Sequence, residues 1–373
     1  MIISDFKVEK WLNPRDAACK YNLGASCVKA MALDELIGIS GESKEELTKF
    51  FMETHLHYGE FFGSARLRAA IAGIYRDIKP EMVLTLHGGT GANTTVMTGL
   101  LEAGDNVVAA LPSYQQHYSV PEALGNEVRR LHLEKEEAYK LNIDRLKKLV
   151  DKNTKMITLT NPNNPTGAFM TEPELKELVA VAEKWGAYVL CDEIYKGLAD
   201  EYMPSIVDLY ERGIATSSMS KVYSMAGTRV GWAVASERQA YDILENRRSY
   251  DTICNGVFDE RIAAIALENN DKILTRARSI VRENKKIADE WLSVHPRLAA
   301  YGETLTSTML IHYTYNIDTV ELCNDIYETT GVLLCHGDCF EEQKCFRLGF
   351  GFGDKSILVN GLDALDKYFK KFE

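Results

Sequence analysis

The sequence predicts an α/β protein: a large domain with a mostly parallel sheet between helices, and a smaller α/β domain after it. Three observations carry that expectation. From residue 83 onward, short apolar runs alternate with amphipathic stretches of helical period, and strands separated by helices pair in parallel under cover on both faces. After about residue 240 the pattern changes to one long amphipathic helix and a shorter α/β stretch. Finally, 373 residues exceed what one small core organises.

Residues 1–30 read as an irregular arm, because Pro14 and Gly24 interrupt any long element. Residues 43–53 read as a helix. After the turn-rich 58–63, Leu67, Ala70, Ile71 and Ile74 share one helical face within 64–75. Strand candidates are 83–86, 106–111, 156–159, 188–191 and 214–217, with helices near 94–101, 114–124 and 173–185 between them. Apolar residues from Ile273 to Leu292 recur at i, i+3/i+4, so the spacing predicts one helix over 271–295, stopped by Pro296. A charged helix over 361–372 ends the chain.

Hydrophobic content of 46% and charged content of 26% are those of an ordinary globular protein. A net charge of −11 and a pI near 5.4 argue against a nucleic-acid partner. Asp5 and Glu9 interrupt the first eleven residues, so neither a signal peptide nor a membrane anchor is expected. Eight cysteines in so long a chain do not form a disulfide framework and point to the cytoplasm. Cys335, His336, Asp338, Cys339 and Cys345 lack a C-x2-C pair, so a strand–turn–strand with free thiols is expected there and no metal.

The chemistry centres on residues 217–232. Lys221 follows the hydroxyls of Ser217, Ser218 and Ser220, and Arg229 stands eight positions on. Lysine amines form Schiff bases with carbonyl groups, and pyridoxal phosphate (PLP) is the carbonyl cofactor that most often uses one. Hydroxyls and a guanidinium suit its phosphate. A solvated lysine and a structural ion pair would look the same in isolation, so other parts are needed. Asp192 closes the apolar run 188–191, where a buried carboxylate requires a partner; a pyridinium nitrogen is one and a helix N-terminus another. Tyr195 lies three residues on. The turn 161–167 holds two Asn-Pro pairs, and an asparagine amide there can donate to a ring oxygen. The Gly-rich segment 87–93 follows a strand and opens a helix, which suits phosphate. It is no dinucleotide fingerprint: Thr94 stands where the third glycine belongs, and the next strand ends without an acid. Tyr114 can stack on a planar ring. Arg347, inside an apolar strand, calls for a carboxylate from a substrate or from the chain itself.

Five motifs occur in order: Gly-Gly-Thr-Gly-Ala at 88–92, Pro-Ser-Tyr at 112–114, Asn-Pro-Thr-Gly at 164–167, Asp-Glu-Ile-Tyr at 192–195, and Ser-Met-Ser-Lys at 218–221 with Arg229 and Gly231 following. Together they resemble the class I/II aminotransferases, fold-type I PLP enzymes, from about Asn22 to the C-terminus. The resemblance implies a seven-stranded, mostly parallel sheet in a large PLP-binding domain (41–245). It also implies a small domain built from both chain ends, the arm 1–40 and residues 246–373. It makes Lys221 the lysine that carries the cofactor and moves protons at the substrate Cα, and Asp192 the partner of the pyridinium nitrogen. Asn164 and Tyr195 would donate to the ring's phenolic oxygen, Tyr114 would stack on the ring, and Gly89, Thr90, Ser218 and Arg229 would cradle the phosphate. Arg347 would take the substrate α-carboxylate. Tyr58, five residues before Gly63, matches a tyrosine that reaches the neighbouring subunit's phosphate, which implies a homodimer with shared sites.

The implied activity moves an amino group between an L-amino acid and a 2-oxo acid (EC 2.6.1.-). A PLP-dependent lyase, cyclase or oxidase acting on an amino acid is the alternative on the same machinery. A PLP-sensing regulator would need a DNA-binding domain before the family match. Two departures fall on the substrate side: Ser26 stands where the family often has a second glycine, and His336–Gly337 where it often has Pro-Gly.

Overall fold

The computed structural model describes residues 2–372. Its main sheet has seven strands in the order Val83–His87, Val230–Ala235, Gly213–Ser218, Tyr188–Asp192, Thr154–Thr160, Asn106–Leu111, Glu127–His132. All neighbours pair in parallel except Val230–Ala235, which runs against both of its own. The central strands are buried along their whole length, as continuous apolar runs between two helical layers must be.

The five expected strands are present, and two more complete the sheet. Glu127–His132 escapes a reading by hydrophobicity because it is a half-exposed edge strand carrying Glu127, Arg129 and Arg130, charges that keep an edge from pairing with other chains. Val230–Ala235 directly follows the lysine–arginine segment and returns antiparallel.

Local sequence explains the better-predicted helices. Glu172–Trp185 begins with a capping box in which the Thr171 N–H donates to Glu174 at 2.6 Å, and it ends on Gly186 at φ +66°. Asn270–Ser293 buries Ile273, Leu274, Ala277, Val281, Ala288 and Trp291 on one stripe. The last helix starts at Lys355, six residues before the expected 361.

The arm is the main correction. Residues 1–30 are not irregular throughout: Lys7–Asp16 is a helix with Pro14 inside it, and Leu33–Ser40 is a further helix at the end of the arm 1–40. Pro14 lies in the last turn and leaves the Lys10 carbonyl without its helical donor, a cost that packing outweighs. Val8 and Trp11 are buried, the Trp11 indole N–H donates to the Leu334 carbonyl at 2.7 Å, and its ring meets His336 edge-on at 4.6 Å.

The chain ends meet beside the main sheet. Tyr21–Asn22 pairs in parallel with Val332–Leu333. A four-stranded antiparallel sheet orders Cys335–His336, Cys345–Gly349, Thr308–Tyr313 and Leu298–Ala300. Residues 335–349 thus form the expected strand–turn–strand, with a 3-10 turn at Gly337–Phe340 and free thiols. The Gly349 N–H donates to the Leu23 carbonyl at 2.7 Å, and a methyl group on Gly349 would fall 1.8 Å from the Ala25 carbonyl oxygen. Only glycine lets the arm lie this close to the strand that carries Arg347.

Candidate active site

The registers Thr160↔Asp192 and Asp192↔Thr216 align three strands' carboxyl ends in one row, where α/β sheets place ligands. A cavity of about 350 Å³ opens there. Its walls bring together Lys221, Asp192, Tyr195, Asn164, Tyr114, Gly89, Thr90, Arg229, Arg347 and Ser26, contributed by both sheets and the arm. Ser218 stands directly behind Gly89 and accepts the Ser220 N–H at 3.2 Å. Tyr58 is elsewhere: it is 72% exposed on the outer surface, outside the cavity of its own chain.

Asp192 is buried at the end of its strand. Its carboxylate accepts from the Asn93 amide at 2.8 Å and the Ile194 N–H at 3.1 Å, with His117 Nε2 at 3.8 Å. The supports are fixed in turn: Thr216 donates to Asn93 Oδ1, and His117 lies between the Thr158 and Thr160 hydroxyls. Asn93 and His117 are the residues the sequence did not reveal. Asn93 belongs to a helix start read only for phosphate, and no local pattern marks His117.

Lys221 Nζ contacts the Ser26 hydroxyl at 3.0 Å and the Cys27 thiol at 3.6 Å. Burial works to lower its pKa, but the Cys27 thiol and the Tyr195 and Tyr114 hydroxyls outweigh it and hold the ammonium above the usual lysine range. Tyr114 is pushed up to about 12, chiefly by burial, and packs on Phe6 at 4.9 Å between ring centroids.

Arg347 is 2% exposed. It donates to Asn164 Oδ1 at 2.9 Å and to the Gly24 carbonyl at 2.6 Å, while its Nε has no partner and no carboxylate pairs with it among the described residues. Because Asn164 turns its oxygen to Arg347, its NH2 group is left to donate elsewhere. The Tyr195 hydroxyl, buried on the same wall, also lacks a partner. Arg229 adopts φ +52° and folds over the start of the Gly88–Leu100 helix, where a methyl group on Gly88 would meet its Nη2 at 2.7 Å. Its guanidinium and the free N–H groups of that helix start form one anion cradle.

These residues fit PLP: a lysine amine, a buried carboxylate for a ring nitrogen, two unclaimed donors for a ring oxygen, an aromatic face and a phosphate cradle surround one cavity. Fold and site together define a fold-type I PLP-dependent enzyme. The chain belongs to the class I and II aminotransferases, whose family model matches residues 42–365, and its cofactor is pyridoxal phosphate. It is 27% identical to a capreomycidine synthase of Streptomyces vinaceus, over 96% of this chain and 92% of that protein. It is 26% identical to an aspartate aminotransferase of Thermotoga maritima, over 87% of this chain and 86% of that one. A crystal structure of a PLP-dependent aminotransferase from Streptococcus suis 89-1591 superposes with a TM-score of 0.97 at 37% identity, covering 100% of this chain and 99% of that chain.

Proposed function

We propose that the chain exchanges the amino group of an L-amino acid with the oxo group of a 2-oxo acid, using the cavity residues in the following roles. The observation that carries this reading is Arg347: a buried guanidinium without a carboxylate, in the same cavity as Lys221 and Asp192. A buried charge of that kind suits a ligand carboxylate gripped by paired hydrogen bonds.

The cofactor, when bound, supplies an electron sink for the pair left at Cα. Asp192, braced by Asn93 and His117, holds a proton on the ring nitrogen. Asn164 and Tyr195 direct donors at the ring's phenolic oxygen, and Tyr114 covers one ring face. Gly89, Thr90, Ser218 and Arg229 hold the phosphate. Lys221 would carry the cofactor, and its amine would move a proton between the substrate Cα and the cofactor's carbonyl carbon. Ser26, in contact with that amine, lines the substrate side beside Arg347.

The functional unit we propose is a homodimer in which Tyr58 reaches the partner's phosphate cradle. Leu56, Tyr58, Phe61, Phe62, Tyr250 and Ile253 are exposed apolar side chains, with the Tyr58 and Phe61 rings 6.3 Å apart, and exposed apolar surface around Tyr58 suits a subunit interface. The arm 1–40 together with 246–373 would then form a small domain against the large domain 41–245, and this boundary lies at the cavity. A cytoplasmic location is consistent with eight free cysteines; no helix among the described residues is long and apolar enough to cross a membrane.

The test is a stoichiometric one. With an amino acid and a 2-oxo acid supplied together, the new amino acid and the new oxo acid should form one for one. The similarity to a capreomycidine synthase over nearly the whole chain favours cyclisation as the second reading. Substrate consumed without any oxo acid released, in favour of a ring product of the same amino acid, would replace the first reading by the second.

A further inference from the structure

The cavity wall carries acids as well as cations. Besides Arg347, the helix Lys7–Asp16 brings the exposed Glu9, Asn13 and Asp16 to the wall, spaced four and three apart and therefore on one stripe. Neighbouring acids are neutralised: Asp5 pairs with Lys10, and Glu341 with Lys7 at 3.7 Å and Arg130 at 3.0 Å. Neither Glu9 nor Asp16 has a cation within ion-pair distance among the described residues.

A short hydrogen-bonded path joins Arg347 to Asp16. Arg347 donates to the Gly24 carbonyl at 2.6 Å, the Gly24 and Ala25 N–H groups donate to Asn22 Oδ1 at 3.0 and 2.9 Å, and the Asn22 amide donates to Asp16. Asn22 therefore fixes Asp16 relative to Arg347, a buried guanidinium with no carboxylate partner among the described residues. Leu12 and Phe352 supply an apolar wall. The cations that this chain gives the cavity are Lys221, Arg229 and Arg347. Each is already assigned, which leaves none for a second substrate carboxylate.

We propose that the cavity selects an amino acid whose side chain ends in a cation, an ammonium or a guanidinium, with Glu9 and Asp16 facing that cation and Leu12 and Phe352 against its methylene stem. The proposal rests on the reading of the cavity as an amino-acid site with Arg347 at the α-carboxylate. A charge-assisted hydrogen bond from a side-chain cation to a carboxylate is stronger than a neutral one.

The holoenzyme is titrated with L-arginine, L-lysine, neutral L-norleucine and L-glutamate, reading the half-saturation of the change in visible absorbance and, independently of turnover, the rise in thermal midpoint. L-arginine or L-lysine should bind about tenfold or more tightly than L-norleucine, the scale of one charged hydrogen bond, and the two cationic arms separate guanidinium from ammonium. That ratio should collapse in the double variant Glu9→Gln, Asp16→Asn. L-norleucine or L-glutamate binding as well as both cationic amino acids overturns the proposal, and so does a ratio that survives the double variant. If no amino acid perturbs either readout, the amino-acid reading itself fails and takes this proposal with it.

Discussion

Replacing Arg347 by lysine keeps the charge and removes the fork. In the structure one guanidinium nitrogen holds the Asn164 oxygen at 2.9 Å, another the Gly24 carbonyl at 2.6 Å, and the third, Nε, is buried without a partner. A lysine ammonium cannot satisfy both contacts and still offer two parallel bonds to a carboxylate. The loss expected is that of one charged hydrogen bond, about 1.5–3 kcal/mol, which corresponds to roughly a 10- to 150-fold rise in the KM for amino acid. The cofactor should stay bound, since no phosphate contact is touched. The assay compares each amino acid with the amine that lacks its carboxylate, in parent and Arg347→Lys, by half-saturation of the visible spectrum. Discrimination between acid and amine should shrink in the variant. An undiminished preference would make Arg347 a structural residue that serves Asn164 and Gly24 only.

Asp192→Asn should keep fold and cofactor while slowing Cα deprotonation by several orders of magnitude, as loss of a buried charge partner does; a near-native single-turnover rate would sink this role. Mixing an inactive Lys221→Ala chain with an inactive Tyr58→Ala chain should restore part of the activity if Tyr58 acts across a dimer, and mixed dimers without activity would count against sharing. His312 and His336 are each held down to about 4, first by burial and then by Lys135 and Arg15 respectively. Both are neutral in the folded protein, while the unfolded chain takes up protons near pH 6.5. Their contribution to stability is therefore complete above about 6.5 and is lost as pH falls towards 4. Urea midpoints should drop over that window, and less steeply in the double variant His312→Gln, His336→Gln; an unchanged slope would assign the loss to other groups.

The motifs on the strand ends were legible because each is short, local and chemically unusual: a lysine after serines, an aspartate closing an apolar strand, paired Asn-Pro turns. What supports them was not. His117 reaches Asp192 from a helix 75 positions earlier in the chain, and only the parallel register brings the two together. The helix Lys7–Asp16 was hidden for a related reason. Its start lacks a local cap; the Lys7 N–H is taken instead by the Gln115 carboxamide at 2.8 Å, from far along the sequence. A reading by nearby residues sees Pro14 and stops. The edge strand Glu127–His132 was missed because solvent exposure gives it the composition of a loop. The seven-strand count came from the family resemblance, whereas the periodicity alone supplied five.

The crossing of the arm over Gly349 has a consequence for the order in which the cavity is made. During synthesis the residues that surround the cofactor, from Gly88 to Arg229, leave the ribosome well before Arg347 does. The arm can touch Tyr114, Gln115 and Lys221 earlier, but its crossing over Gly349 has no partner until the strand Cys345–Gly349 is complete. A nascent chain can thus assemble the cradle proposed for the cofactor before it holds the arginine proposed for the substrate, and completion of the strand Cys345–Gly349 is what joins the two.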